Sequence, residues 1–448
     1  MTNILIIGAG RSAGALIRYC LGKAGAFGWR ITVADADLEA AKRHVGDSDR
    51  GIAAWLDVTK TNDRRDLIGR SDIVVSLLPA AFHLEVAHEC IRLRKHLITA
   101  SYVSKELYRL GDEARDRELV FMGEMGLDPG VDHMSAMRVL HALREEGATI
   151  DAFRSYTGGL VTEEAATNPW RYKITWNPRN VVLAGQGTAH FLHRGKLKCI
   201  PYSRLFASAS PVHIEGLGDF EMYPNRDSLL YRESYGLADI PTLIRGTLRY
   251  PGFCEAWQAL VEIGLTDANF PILATRQMSY HELMDSYAPR EPAGASVKER
   301  IAHLLGESPN SPVMRKLEWL GLFRKKRIKI TDATPALILQ DLVERKFALK
   351  PRDRDMVVMQ HEFDYTTADG LRRRRTSTMV MEGDDDDTAM SRLVGLPLGI
   401  FVRLMSEEKI ESRGVAIPVM NEVYDPVLRE LEEYGVHFRE RDESLARY

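Results

Sequence analysis

The chain has 448 residues, 60 of them Lys or Arg against 63 Asp or Glu, and a net charge of −3. It is long enough for two or three domains, and it lacks the basic excess that would draw it to nucleic acid or a membrane surface. No apolar run approaches the ~20 residues of a membrane span, and four scattered cysteines (Cys20, Cys90, Cys199, Cys254) show no metal spacing.

The first predicted element is the strand Ile4-Leu5-Ile6-Ile7, which runs into Gly8-Ala9-Gly10-Arg11-Ser12-Ala13-Gly14 and the start of a helix. Because the chain opens directly on this strand, no signal peptide is expected; with the cysteine pattern, this points to the cytoplasm. Gly8 permits a tight turn, Gly10 lets backbone approach a pyrophosphate, and Ala13 is small enough for close packing of helix on strand. The N–H groups that open the helix suit phosphate oxygens. The second strand, Arg30 to Ala34, ends in Asp35, where a carboxylate would accept hydrogen bonds from ribose hydroxyls and repel a 2′-phosphate. NAD is therefore expected ahead of NADP, with Arg30 or Arg43 the residues able to reverse that order.

Further strands are predicted at 53–58, 72–79, 96–101 and 119–122, separated by amphipathic helices. This is the pattern of a parallel sheet covered on both faces, with ligands at the carboxyl ends of its strands. Val75, Ser76, Ser101 and Tyr102 fall on that edge. Beyond residue 130 the text becomes β-like at 151–158, 181–183 and 218–222, then mostly helical from about 240 to 348, then strand-like again at 355–363 and 376–381. The fold class is α/β: a Rossmann dinucleotide-binding domain and an α/β substrate domain interrupted by an all-helical insertion. The apolar stretch Met390 to Met405 reads as a helix able to return to the first domain. Glu382 to Asp387 reads as a solvated acidic loop, and Arg372 to Arg375 as an exposed face. No metal site is expected.

Chemistry concentrates in Gly126-Leu127-Asp128-Pro129-Gly130-Val131-Asp132-His133, directly after the last Rossmann strand. Asp128 precedes a Pro-Gly turn that fixes its direction, and Asp132 and His133 begin the next helix. Arg226, in YPNRDS, and Arg249, in RGTLRYPGF, read as arginines on Pro- and Gly-shaped loops suited to bidentate recognition of carboxylates. Two such loops indicate a substrate with several carboxylates.

The chain resembles the saccharopine reductase family, also called saccharopine dehydrogenase (L-glutamate-forming). The resemblance rests on SLLP at 76–79, TASYVS at 99–104, EMGLDPGVDHMSAM at 124–137 and SYTGGL at 155–160. It continues through NPWRYKITWNPR at 168–179, YPNRDS at 223–228, RGTLRYPGF at 245–253, DMVVMQHEF at 355–363 and RTSTMV at 375–380. It implies a Rossmann domain at 1–125 completed by helices at about 388–448, a substrate domain at 126–240 and about 349–387, and a helical domain at 241–348. It implies oxidation of saccharopine by NAD, or NADP, to L-glutamate and 2-aminoadipate 6-semialdehyde, or the reverse condensation, in a homodimer. By the same resemblance, Ser101, Tyr102, Asp128, Arg226, Thr247, Leu248 and Arg249 contact substrate. Gly8, Gly10, Arg11, Ser12, Ala13, Asp57, Val58, Ser76, Leu77, Gly130 and Val131 lie along the cofactor, with Asp35 at the ribose. Fungal members carry Cys where this chain has Thr157, so no acid–base part assigned to that thiol transfers.

The substrate is a secondary amine with three carboxylates, and its bridging nitrogen must be neutral before hydride leaves the adjacent carbon. Asp128 is the candidate catalytic carboxylate; Tyr102 and His133 are candidates for proton relay. Two alternatives stand beside this reading. A carboxynorspermidine- or homospermidine-type reductase would need an acidic pocket, against which the arginines argue. A non-catalytic NAD(H)-binding protein would tolerate Asp128→Asn.

Overall fold

The computed structural model describes residues 1–445 and divides into two compact units. The first comprises Met1–Thr149, Tyr365–Arg373 and the chain from Ser377 onward; the second comprises Ile150–Asp364 and Arg374–Thr376. The division falls later than the expected boundary at 125, so the helix Val131–Glu145 stays with the dinucleotide-binding unit.

The first unit is built on β1 (Thr2–Ile7), β2 (Trp29–Asp35), β3 (Gly51–Trp55), β4 (Ile73–Ser76), β5 (His96–Thr99) and β6 (Val120–Met122). These strands pair in parallel in the order β6-β5-β4-β1-β2-β3, and Gly414–Ala416 adds a further parallel strand beside β6. β1, β4 and β6 are short, apolar and almost wholly buried, as a sheet covered on both faces requires. The order reverses between β1 and β4, which opens a crevice at their carboxyl ends.

Helix α1 (Gly14–Phe27) follows the glycine turn and packs against the helix Ala389–Ser406. Among the described residues, Ala389–Ser406 alone has the length and apolarity of a membrane span, yet 72% of it is buried within the fold. Its approach to α1 depends on glycine: a Cβ on Gly395 would lie 2.7 Å from the Leu16 nitrogen. Gly395→Ala should therefore destabilise the protein by about 1–3 kcal/mol through overpacking. The loss would appear as a lower melting temperature, accompanied by weaker nucleotide binding because α1 carries the phosphate-facing turn.

In the second unit the strands run in the order Ser210–Ile214, Gly218–Pro224, Thr242–Arg249, Thr149–Val161, Asp355–Thr366. Thr242–Arg249 is antiparallel to its neighbour Gly218–Pro224 and parallel to Thr149–Val161. The hairpin Ala189–His193/Lys196–Ile200 turns on Arg194 and Gly195, both at positive φ. The helices from Phe253 to Lys346 share one core with Trp170, Tyr172 and Phe347, in which Trp170 meets Trp257 edge to face.

Three expectations change. Val181 and Val182 lie in a short helix, Pro178–Val182, because Asn177 accepts the Arg179 N–H and Pro178 occupies its first turn. Arg245 to Arg249 form a strand rather than a loop. Arg372 to Arg375 are half-buried in the strand Arg372–Glu382, with Arg374 held by Asp364.

Candidate functional site

The glycine turn is shaped for close backbone approach. Gly8 has φ +109°, which a side chain disfavours, and a Cβ there would lie 3.2 Å from Leu77 in the loop after β4. Gly10 faces open space, and Ala13 at the head of α1 supplies no side-chain cap. The turn from Gly8 to Ala13 thus leaves backbone open to a dinucleotide pyrophosphate, whereas the Ala15 N–H in the first turn of α1 is already taken by Ser391 Oγ at 3.2 Å. Arg11 is exposed and Ser12 half-buried beside it. Asp35 accepts the Ala9 N–H at 2.6 Å and the Asp37 N–H at 2.8 Å, so its carboxylate is fixed against the turn. Asp57 and Val58 follow β3 on the same edge; Thr59 hydrogen bonds hold the Asp57 carboxyl below the usual range, and the Val58 carbonyl accepts from Arg64.

The acidic run is not a purely solvated loop. Asp384 accepts the N–H groups of Asp386 and Asp387 and pairs with Arg392; Asp387 pairs with Arg18 of α1 and reaches the neighbourhood of Gly14. Among the described residues no His, Cys, Asp and Glu cluster could hold a metal ion.

Along the carboxyl edge the structure brings Tyr102 and Asp128 together, the phenol donating to Asp128 Oδ1 at 3.3 Å. Both are half-buried. The Asp128 loop is a closed turn: Gly126 N–H donates to the Pro129 carbonyl, and Val131 N–H returns to the Gly126 carbonyl. Gly130 has φ +147°, and a Cβ there would lie 2.0 Å from the Gly126 oxygen, so only glycine closes it. Asp132 is buried and accepts the Gly130 N–H at 2.6 Å, while the Val131 side chain is wholly buried.

His133 departs from the part expected of it. Its ring is 0% exposed and its Nε2 lies 2.8 Å from Glu124, itself buried. Glu124 also accepts the Val103 N–H at 3.0 Å. An imidazole tied to an internal carboxylate suits holding the Asp128 loop, not passing protons to a ligand.

His83, Thr99 and Glu124 carry polar contacts that the sequence did not single out. His83 Nδ1 lies 3.0 Å from Ser76 Oγ, and its Nε2 lies 2.7 Å from Ser101 Oγ and 3.3 Å from Thr99 Oγ1. Burial pushes the imidazole down to about 4, so it is neutral at ordinary pH. A histidine just past the fourth strand of such a sheet is the signal that could have found it.

The second unit holds the arginines. Arg226 is exposed, with φ +48° and its carbonyl accepting the His190 N–H. Arg245 is buried over the Tyr231 ring at 4.5 Å. Arg249 is only 3% exposed, its guanidinium among the rings of Tyr172, Tyr223 and Phe253. It donates to the Leu248 carbonyl and the Tyr223 hydroxyl, its Nε has no partner, and it makes no ion pair among the described residues. A buried guanidinium without a carboxylate is costly unless an anion completes it. Thr247, on the same face, pairs across the strands with Thr157, whose buried hydroxyl is also without a partner. Leu248 points the other way, into the core with Phe220 and Met222, so only its backbone faces the arginine side.

Comparison with known proteins agrees with this geometry. Residues 4–122 match the family model described as the saccharopine dehydrogenase NADP binding domain, and residues 126–436 match the saccharopine dehydrogenase C-terminal domain. The chain is 34% identical over 425 residues to saccharopine dehydrogenase [NADP(+), L-glutamate-forming] of Pyricularia oryzae, covering 92% of this chain and 94% of that one. It is 34% identical to the α-aminoadipic semialdehyde synthase of Arabidopsis thaliana, covering 92% of this chain but only 41% of that longer protein. A solved structure of apo saccharopine dehydrogenase (L-Glu forming) from Saccharomyces cerevisiae superposes with a TM-score of 0.87 at 30% identity, covering 99% of this chain and 100% of that one.

Proposed function

The chain belongs to the saccharopine dehydrogenase family, and from that premise we propose that it oxidises saccharopine to L-glutamate and 2-aminoadipate 6-semialdehyde. The observation that carries this reading is the Tyr102–Asp128 pair, held by a glycine-locked turn at the carboxyl edge of a dinucleotide-binding sheet.

The residues divide the work. Gly8 to Ala13 would hold the dinucleotide, with Asp35 at the ribose. A dinucleotide held there would supply the hydride acceptor for the carbon on the lysine side of the bridging nitrogen. Asp128, oriented by the Tyr102 hydroxyl, takes a proton from that nitrogen so that a lone pair can assist as the hydride departs. Water then adds to the resulting imine, the carbon–nitrogen bond breaks, and glutamate leaves as the amine. One saccharopine, one water and one oxidised dinucleotide thus give glutamate, semialdehyde, reduced dinucleotide and a proton. Arg226 and Arg249 serve the substrate carboxylates, since orientation counts as much as proton transfer.

The dinucleotide we propose is NAD, although the curated relatives are named for NADP(+). Asp35 supports this: its carboxylate is already fixed by two backbone N–H groups, and a 2′-phosphate beside it would meet like charge. Arg30 is no remedy, because it is the second residue of β2, about 16 Å from Asp35 at strand spacing. Arg43 is drawn to Asp37 at 3.8 Å. Four free cysteines, three of them buried, agree with the reducing cytoplasm proposed for it.

The test is reduction followed at 340 nm, with purified protein and saccharopine, using NAD and NADP in parallel. The expected kcat/KM with NAD exceeds that with NADP by roughly 10- to 100-fold, the weight of a charge-assisted contact turned into repulsion. Asp35→Ser should narrow the ratio. Turnover with NADP alone would keep the reaction and overturn the cofactor assignment; no turnover with either would overturn both.

A further inference from the structure

We propose that His83 is a positioning residue for this reaction: it locks the Ser101 hydroxyl into one direction at the carboxyl edge of the sheet. The inference rests on the reading that Ser101 faces the ligand, and extends it to a residue that never touches one.

The four side chains differ in access. Ser76, Thr99 and His83 are 0%, 2% and 5% exposed, whereas Ser101 is half-buried. Ser76 closes β4 and Thr99 closes β5, two neighbouring parallel strands in register. His83 opens the helix His83–Leu93 that follows β4, which sets its ring over both strand ends. Its two nitrogens are occupied, Nδ1 by Ser76 and Nε2 by Ser101 with Thr99 behind. Thr99 Oγ1 also accepts the Ser101 N–H at 3.2 Å, so both the backbone and the hydroxyl of Ser101 are tied to this cluster.

A neutral imidazole carries one N–H. One nitrogen donates and the other accepts, and the choice runs through the whole chain of hydroxyls. If Nε2 donates to Ser101, the serine keeps its own proton for a ligand acceptor. If Nδ1 donates to Ser76, Ser101 gives its proton to Nε2 and offers a ligand only lone pairs. In either state one capacity of the Ser101 hydroxyl is committed to His83, so its oxygen is held in one direction and the imidazole sets what it can still offer a ligand. A hydroxyl fixed in advance loses no freedom when the ligand arrives.

The test is a double-mutant cycle on the whole chain, reading kcat/KM for saccharopine alongside melting temperature and NAD affinity. Ser101→Ala should lower kcat/KM about three- to tenfold, the weight of one hydrogen bond. His83→Leu should lower it by a similar factor with NAD affinity unchanged, and the double variant should be no worse than Ser101→Ala alone. His83→Gln, whose amide can still reach Ser101, should recover most of the loss. Multiplying losses in the double variant, or equal losses in His83→Gln and His83→Leu, would overturn the proposal and leave His83 a packing residue. An unchanged Ser101→Ala would overturn the reading of Ser101 itself, whatever His83 does. Should His83→Leu fail to fold, the comparison of His83→Gln with and without Ser101→Ala decides the question alone.

Discussion

Asp128→Asn will lower kcat for saccharopine oxidation about 10²- to 10⁴-fold, the range of a general acid–base group, and leave dinucleotide affinity unchanged. The substitution keeps the shape of the side chain and a group able to accept from Tyr102, now 3.3 Å away. It removes only the capacity to take a proton. The turn around it is set by backbone hydrogen bonds and by Gly130, so its fold does not depend on the lost charge. Steady-state kinetics with nucleotide titration by fluorescence separates the two effects. Tyr102→Phe should fall between wild type and Asp128→Asn, because it removes one hydrogen bond to the carboxylate without removing the carboxylate itself. Full activity in Asp128→Asn would move the proton-accepting part elsewhere and favour the non-catalytic reading.

Arg226→Ala will raise KM for saccharopine roughly 10- to 100-fold, as expected for loss of a charge-assisted hydrogen bond to a carboxylate. The value of kcat should change far less, since the contact serves ground state and transition state alike. Dinucleotide affinity should be unaltered. Arg226 is exposed and holds its backbone at φ +48°, a conformation anchored by the hydrogen bond from His190 N–H to its carbonyl, which alanine retains. Arg226→Lys should recover only part of the loss, because an ammonium cannot reproduce a bidentate fork. A parallel rise in the dissociation constant for the dinucleotide would show that the residue acts through the fold or the cofactor rather than on the substrate.

Much of the first unit was legible because its determinants are local. β1 is an apolar run that ends in glycines, Asp35 closes β2, and the GLDPG turn carries its own geometry. The strand Thr242–Arg249 was hidden for a physical reason. Arg245, Thr247 and Arg249 share one face and Leu248 the other, so the text mixes charge and glycine where a loop would too. Its stabilisation comes from neighbours distant in sequence, Thr149–Val161 and Gly218–Pro224.

The site divides in the same way. Tyr102 and Asp128 share a hydrogen bond that the motifs could not state. His133 was misread because its partner, Glu124, sits nine residues upstream at positive φ, a pairing that only the folded turn creates. His83 was passed over because its partners lie seven and eighteen residues away, one at the end of β4 and one in the loop after β5. Spacing reveals groups that share a turn; it does not reveal groups gathered at a sheet edge.

The most direct test of the central claim is the fate of a label. Saccharopine deuterated on the lysine-side carbon next to the bridging nitrogen is oxidised by the purified protein, and dinucleotide and amino-acid products are weighed by mass spectrometry. The account predicts deuterium in the reduced dinucleotide, unlabelled glutamate, and 2-aminoadipate 6-semialdehyde carrying one deuterium fewer than its parent carbon. Unlabelled reduced dinucleotide, with lysine retaining the full label and 2-oxoglutarate as co-product, would show attack on the other carbon and contradict it.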